Sequence, residues 1–253
     1  SLPELIRPNT WLAQAWAHAQ TFKHNPHTPY IGRFAPSPSG KLHQGSLVTA
    51  LASYLHAHWH GGVWRVRVED VDTSRCTQAM GEHQLATLRN LGFEFDEHVV
   101  WQTENFAAYR AEFERLRAQH QVYPCTCTRS QRTQNPSAHH CALGIDEGAT
   151  IRTWRFRADH QVVTWVDETG HSHTQTVDDF VVKRGARSSD EWAYALAVVV
   201  DDAHQGITHV VRGEDIRAST ARQIALQKAL GYPTPQYNHV PLLCNAAGEK
   251  LSK

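Results

Sequence analysis

The chain has 253 residues, of which 41% are hydrophobic and 20% charged, a composition typical of a globular protein with one or two domains. Because 25 basic residues balance 25 acidic ones, a nucleic-acid partner would have to bind a locally basic face. The sequence contains no apolar run of about 18 residues, and its N-terminus lacks the layout of a signal peptide. We therefore expect no membrane span and a cytoplasmic protein, and we expect a monomer.

The first half of the chain predicts alternating strands and helices after an N-terminal extension over residues 1–28. In chain order the predicted elements are strand 30–34, helix 46–59, strand 63–68, helix 78–90, strand 98–102 and helix 104–119. Such alternation favours a doubly wound parallel sheet with right-handed crossovers. Ligands of such sheets bind at the carboxyl ends of the strands.

The pattern changes near Tyr123, where short Thr-, Val- and Trp-rich runs separated by turns begin. They predict an inserted, largely antiparallel module over residues 121–184. The alternation then returns, with helix 192–202, strand 207–212, helix 220–230 and strand 237–243. We therefore predict an α/β domain formed by residues 29–120 and 185–253, interrupted by the module.

A Pro-, Gly- and Ser-rich loop follows the first predicted strand and leads into the first helix. Residues Arg33–Ser46 read Arg-Phe-Ala-Pro-Ser-Pro-Ser-Gly-Lys-Leu-His-Gln-Gly-Ser. A helix N-terminus behind such a loop offers backbone N–H groups and the positive end of the helix dipole to an anion. With Lys41 and His43 in the loop, the segment predicts a site for nucleotide phosphates.

This segment resembles the signature loop of the glutamyl branch of class I aminoacyl-tRNA synthetases, whose second part is His-Ile-Gly-His. Three further segments resemble that branch in the expected order: Val66–Asp72, Tyr194–Asp202 and Val211–Asp215. The last residues, Gly248–Lys253, resemble the second class I signature, Lys-Met-Ser-Lys-Ser. The resemblance covers residues 30–253 and implies a class I, Rossmann-like fold. A generic nucleotide-binding α/β domain is the alternative.

The resemblance implies that ATP, with Mg²⁺, activates the carboxylate of an amino acid. The implied catalytic residues are His43, Ser46 and Lys253, and the implied ATP-binding residues are His43, Gly45, Ser46, Lys250 and Lys253. Ser46 stands where the signature has its second histidine, and the hydroxyl can still form a hydrogen bond but carries no charge. The alternative for Ser46 is a role as the N-cap of its helix.

Charge pairing favours L-glutamate as the amino acid. Arg33 and Arg212 can each bind a carboxylate, and Glu69 can bind the ammonium group. By resemblance, the other glutamate-binding residues are Ala35, Ser37 and Tyr194. The alternative for Glu69 is an ion pair with Arg65 or Arg67.

A cluster of thiols opens the inserted module. Cys125, Cys127 and Cys141 together with His139 would form an ordinary tetrahedral set of ligands for structural Zn²⁺. His140 is an alternative fourth ligand, and three thiols without metal are the other alternative.

The compact Cys-x-Cys module and the Val-Glu-Asp-Val-Asp segment most resemble those paralogues of the branch that attach glutamate to the queuosine base of tRNA-Asp. The resemblance implies ATP, L-glutamate and queuosine-containing tRNA-Asp as partners. Candidate contacts to the RNA phosphates are Arg129, Arg132, Arg152 and Arg155. Two alternatives are a truncated glutamyl-tRNA synthetase and a non-catalytic module that binds tRNA or protein.

Overall fold

The computed structural model describes residues 29–134, 140–241, 244 and 246–248. The predicted extension over residues 1–28 therefore lies outside the described residues. In chain order the strands are β1 (Ile31–Phe34), β2 (Val63–Val68), β3 (Val100–Trp101), β4 (Val122–Cys125), β5 (Thr153–Phe156), β6 (Gln161–Val166), β7 (Ser172–Val177), β8 (Phe180–Arg184), β9 (Glu191–Trp192), β10 (His209–Gly213) and β11 (Gln236–Val240). The α-helices are α1 (Gln44–Trp59), α2 (Gln78–Leu91), α3 (Phe106–Ala118), α4 (Arg129–Gln134), α5 (Tyr194–His204) and α6 (Arg217–Leu230).

Parallel strands form the layer that carries the predicted nucleotide loop. One sheet has the order β1-β2-β3 and a second sheet pairs β10 with β11, and every pairing within them is parallel. The amide of Thr208 donates to the carbonyl of Ile31 at 2.9 Å, which brings the start of β10 beside β1. The predicted α/β architecture with parallel strands is therefore confirmed.

Four helix starts differ from the predictions: those of α1, α3 and α5 by two residues, and that of α6, which begins at Arg217 rather than at residue 220, by three. Helix α1 begins at Gln44 rather than at residue 46, because the side chain of His43 caps it. Helix α5 begins at Tyr194 rather than at residue 192, because Trp192 pairs with Lys183 of β8 as a short strand. None of the helices in the described part combines the length and the apolar character that a membrane span requires.

The predicted module is antiparallel, and it shares its core with the surrounding helices. Strands β4, β5, β8 and β9 form one antiparallel sheet, and β6 and β7 form a hairpin. The sheet includes β9 and so extends past the predicted boundary at residue 184. One buried apolar cluster joins Trp154 of β5 to Phe113 of α3, Leu196 of α5 and Leu226 of α6. The module therefore packs into the α/β part.

The tip of the β6–β7 hairpin also contacts the α/β part. The carboxylate of Glu168 lies 3.4 Å from His56 Nε2 on α1 and 3.3 Å from His209 Nε2 on β10. All three side chains are buried, and burial, with a smaller contribution from Asp167, raises the pKa of Glu168 to about 8. The tip of the hairpin is thus held against α1 and β10.

Candidate active site

The predicted site residues meet in one pocket at the carboxyl ends of β1, β2 and β10, beside the N-terminus of α1. Its volume is about 280 Å³. Nine predicted residues line it: Arg33, Ala35, Ser37, His43, Gly45, Ser46, Glu69, Tyr194 and Arg212. Lys250 and Lys253 lie outside the described residues. The remaining wall includes Gln84, which no motif in the sequence indicated.

The N-terminus of α1 faces this pocket with a histidine as its cap. His43 has an extended backbone, and its Nδ1 accepts a hydrogen bond from the Ser46 amide at 3.3 Å. Because Nδ1 is the acceptor, a neutral His43 ring carries its proton on Nε2 and can donate it to a ligand. The amide of Gly45 precedes the first intrahelical bond, from Leu47 N to His43 O, and has no intrahelical partner; the described residues offer it no other acceptor. His43, and not Ser46, therefore caps the helix.

Arg33 is already engaged by a carboxylate of the protein. Its Nε and Nη2 donate to the two oxygens of Asp202 at 3.1 and 3.2 Å, and the side chain is buried. Asp202 also accepts from Arg67 at 2.8 Å. Asp202 therefore occupies two of the Arg33 guanidinium nitrogens, and binding of the substrate by Arg33 stays a prediction. The third nitrogen, Nη1, donates no hydrogen bond to the residues that the structure describes.

Glu69 forms the alternative ion pair with Arg67 and still has one oxygen for the predicted binding of an ammonium group. Its Oε1 accepts from Arg67 at 3.3 Å, whereas Arg65 pairs with Asp96 at the surface. Its Oε2 is buried and accepts no hydrogen bond from the residues that the structure describes. Burial raises the pKa of Glu69 to about 7, against the opposing effect of Arg67 and Arg33. One carboxylate oxygen thus remains for a cationic ligand group.

Arg212 is a buried cation whose hydrogen-bond partners in the described residues are neutral. Its side chain is 3% exposed and donates to Gln223 Oε1 and Thr220 Oγ1, both at 2.8 Å, and to His239 Nε2 at 3.4 Å. Burial and then Arg212 itself lower the pKa of His239 to about 3, so this ring stays neutral. Within the described ranges no carboxylate forms an ion pair with Arg212. A buried unpaired charge is costly, so this position suits an anionic ligand.

Tyr194 completes the polar wall at the start of α5. Burial, and then the charge of Glu69, raise the pKa of its phenol, which therefore stays protonated and able to donate. The sequence motifs did not indicate four further polar residues around the site: Asp202, Thr220, Gln223 and His239. The clue for Asp202 was an acidic pair directly after the apolar run Ala195–Val200, which a buried helix tolerates only with internal partners.

The three predicted cysteine ligands lie together. The Sγ atoms of Cys125, Cys127 and Cys141 are all within 4.8 Å of one another and buried, and Cys127 and Cys141 are 3.6 Å apart. Zn–S bonds of about 2.3 Å in a tetrahedron place sulfur atoms about 3.8 Å apart, so the cluster fits zinc. His139 and the side chain of His140 lie outside the described residues. Elsewhere in the described ranges no other such group of ligands occurs.

A basic cleft of about 570 Å³ adjoins the cysteine cluster. The arginines that line it are Arg129, Arg132, Arg152 and Arg184, and no acidic side chain from the described segments lines it. The expectation for Arg155 was wrong, because this side chain is buried and donates to the carbonyl of Asp179 at 2.5 Å. Arg184 also borders a pocket of about 390 Å³ that shares Glu69 and Tyr194 with the candidate active site.

The sequence matches the family described as "tRNA synthetases class I (E and Q), catalytic domain" over residues 31–253. The chain belongs to this family. It is a ligase of the class I aminoacyl-tRNA synthetase type, as the sequence resemblance implied.

Two relatives are both named glutamyl-Q tRNA(Asp) synthetase. The protein of Aromatoleum aromaticum is 48% identical over 237 residues, which cover 89% of this chain and 74% of the relative. The protein of Burkholderia cenocepacia (strain HI2424) is 50% identical over 242 residues, which cover 88% of this chain and 80% of the relative.

A solved glutamate tRNA ligase of Elizabethkingia meningosepticum, in complex with its amino acid, superposes with a TM-score of 0.79 at 25% identity. The match covers 89% of this chain and 52% of the ligase, so the chain spans about half of the ligase's length. The similarity confirms the class I synthetase-like α/β fold.

Proposed function

We propose that this protein activates L-glutamate with ATP and then transfers the glutamyl group to the queuosine base of tRNA-Asp. The observation that carries the choice of glutamate is Arg212, a buried cation with neutral partners in the same pocket as Glu69. The names of the two relatives, glutamyl-Q tRNA(Asp) synthetase, support the acceptor.

Each charged group of glutamate has a counterpart in the pocket. The side-chain carboxylate pairs with Arg212, and the ammonium group binds Glu69 Oε2. Tyr194 donates a hydrogen bond to the bound amino acid, while Ala35 and Ser37 form the nearby wall. A glutamine side chain would leave the charge of Arg212 unpaired, and sites with an unpaired buried polar group discriminate strongly.

The first chemical step needs positioning rather than a protein nucleophile. An oxygen of the α-carboxylate attacks the α-phosphorus of ATP, the bond to the bridging oxygen breaks, and pyrophosphate leaves with the electron pair. His43 Nε2 and the amides at the N-terminus of α1 stabilise negative charge on the phosphate oxygens. Lys250 and Lys253 have the same role by resemblance, and Mg²⁺ bound with ATP would neutralise part of the charge of the phosphates.

The second step forms an ester and releases AMP. A hydroxyl of the queuosine base attacks the carbonyl carbon of glutamyl-adenylate, loses its proton, and displaces the adenylate oxygen. The pocket that Arg184 borders gives the acceptor a route to Glu69 and Tyr194. The basic cleft beside it can bind phosphates of the RNA, so binding should weaken as salt concentration rises.

We further propose one structural zinc ion, bound by Cys125, Cys127 and Cys141 with His139 as the fourth ligand. A closed set of four protein ligands leaves no position for substrate. The metal would therefore hold the start of the module, next to α4, and take no part in the reaction.

Two assays test the proposal in sequence. ATP–pyrophosphate exchange should occur with L-glutamate, without tRNA, and much less with glutamine. Radiolabelled glutamate should then be transferred to tRNA-Asp containing queuosine, and not to tRNA-Asp lacking it or to tRNA-Glu. Exchange that requires tRNA, with labelling of tRNA-Glu, would favour a glutamyl-tRNA synthetase. No exchange under any condition would favour a non-catalytic module.

A further inference from the structure

Gln84 contacts the loop that carries the candidate ATP site. It lies on α2, is 2% exposed, and lines the pocket. Its amide nitrogen Nε2 donates to two carbonyl oxygens of the signature loop (residues 35–43), that of Ser37 at 3.1 Å and that of Gly40 at 2.6 Å. One side-chain amide therefore bridges both ends of the turn at residues 37–40.

The signature loop depends on donors from outside it. Pro36 and Pro38 have no N–H group, and their carbonyls accept from the amides of Glu69 at 2.9 Å and Thr77 at 3.4 Å. Those two donors belong to the backbone, so a substitution other than proline leaves them in place. Within the described ranges, Gln84 is the only side chain that donates to a carbonyl of this loop.

The loop also sets the distance between two parts of the pocket. It begins at Ala35, two residues after Arg33 of the glutamate site, and ends at His43, the cap of α1. A change in the 37–40 turn would move His43 and the helix N-terminus relative to the bound amino acid. In-line attack tolerates little such displacement.

We propose that Gln84 is a positioning residue, whose amide group holds the signature loop in the conformation that binds ATP in line with the glutamate carboxylate. The inference rests on the proposed ATP-dependent activation. Gln84 acts through the loop backbone, and its Nε2 uses one hydrogen for each carbonyl.

Two variants remove the donor while keeping the side chain's size. Gln84→Glu keeps its shape, but a carboxylate cannot donate and repels the two carbonyl oxygens. Gln84→Met fills the volume without any donor. Gln78→Glu is the matched control, because it makes the same chemical change at an exposed position of α2.

In pyrophosphate exchange, both Gln84 variants should raise KM for ATP about tenfold, because two hydrogen bonds are lost. KM for glutamate should change by less than about twofold, and the Gln78→Glu control should resemble the unmodified protein. As pH falls, the introduced carboxyl of Gln84→Glu gains a proton and one donor, so its defect should shrink. The defect of Gln84→Met should not.

Hydrogen–deuterium exchange of the loop amides, measured without ATP, separates this inference from the proposed function. In both Gln84 variants, the hydrogens of these amides should exchange faster than in the unmodified protein. If hydrogen–deuterium exchange of the loop amides and KM for ATP are both unchanged in the variants, the proposed role of Gln84 is overturned. The proposed function would remain intact. Absence of pyrophosphate exchange in the unmodified protein would contradict the proposed function. Hydrogen–deuterium exchange of the loop amides would still test whether Gln84 holds the loop. If Gln84→Glu does not fold, Gln84→Met carries both comparisons.

Discussion

Glu69 and Arg212 contribute opposite charges to one pocket, but of the two only Glu69 forms an ion pair with a residue that the structure describes. Glu69 contacts Arg67 at 3.3 Å, whereas Arg212 donates hydrogen bonds to an amide, a hydroxyl and a neutral imidazole and lies 5.0 Å from the centroid of the Tyr237 ring. The two residues should therefore respond differently to pH and to substitution.

Glutamate binding should weaken as pH falls below about 7, the pKa to which burial raises Glu69. Only the carboxylate form attracts the substrate's ammonium group, so each pH unit below the pKa should raise Kd roughly tenfold. Above this pKa, Kd should be flat until the ammonium group itself titrates. Calorimetric titration of L-glutamate across this pH range measures the effect. Glu69→Gln should bind glutamate weakly at every pH. If Kd of this variant changes with pH as steeply as Kd of the unmodified protein, Glu69 is not the source of the pH dependence.

Replacement of Arg212 should separate binding from stability. Arg212→Met removes the partner of the substrate carboxylate and should weaken glutamate binding by about 2–5 kcal/mol. It should lower the free energy of unfolding by no more than about 1 kcal/mol, because it also removes an unpaired buried charge.

Arg67→Met is the matched comparison, because this equally buried arginine lies close to Glu69, Asp201 and Asp202. Its loss removes the ion-pair partner of buried Glu69 and Asp201, while Asp202 keeps Arg33, and should cost about 3–5 kcal/mol of unfolding free energy. Urea unfolding curves of the two variants measure both values. A larger loss for Arg212→Met than for Arg67→Met would contradict our account of the pocket.

At the scale of elements, the loop motifs were predictable but their supports were not. The signature loop and the strand ends carry their chemistry in contiguous sequence, and the structure brings nine of those residues into one pocket. Asp202 is 169 positions along the chain from Arg33 of β1, to which it is hydrogen-bonded. Gln84 is 44–47 positions from the loop carbonyls that it contacts. Only tertiary packing reveals such partners. Trp192 was predicted as helical because the apolar run after it is, and strand pairing with Lys183 overrides that local preference.

The cysteine cluster makes a prediction about the module. Metal analysis should find about one zinc per chain, and a Cys125→Ser/Cys127→Ser double variant should lose it. A Cys76→Ser variant is the control, since this thiol lies outside the cluster. If zinc is structural, the double variant should lose ordered structure near β4. The unmodified protein should be active with its zinc bound. Full zinc content in the double variant would refute the assignment.

At the scale of the whole molecule, the shared core should make the module and the α/β part unfold together. Phe113 and Trp192 contact each other with ring centroids 5.7 Å apart, and both belong to the cluster that contains Leu196 and Leu226. Circular dichroism and tryptophan fluorescence should therefore give coincident unfolding transitions. A separate early transition of the module would show that the common core contributes little.

The hydrogen bond between Thr208 and Ile31 has a consequence for biosynthesis. These residues are 177 positions apart, although their strands lie side by side. At about 5–20 residues per second, a ribosome needs roughly 10–35 s to synthesise the chain between them. During that time β1 has an open edge, and unpaired strand edges promote aggregation. The nascent N-terminal half should therefore be a substrate for chaperones until residue 208 leaves the exit tunnel.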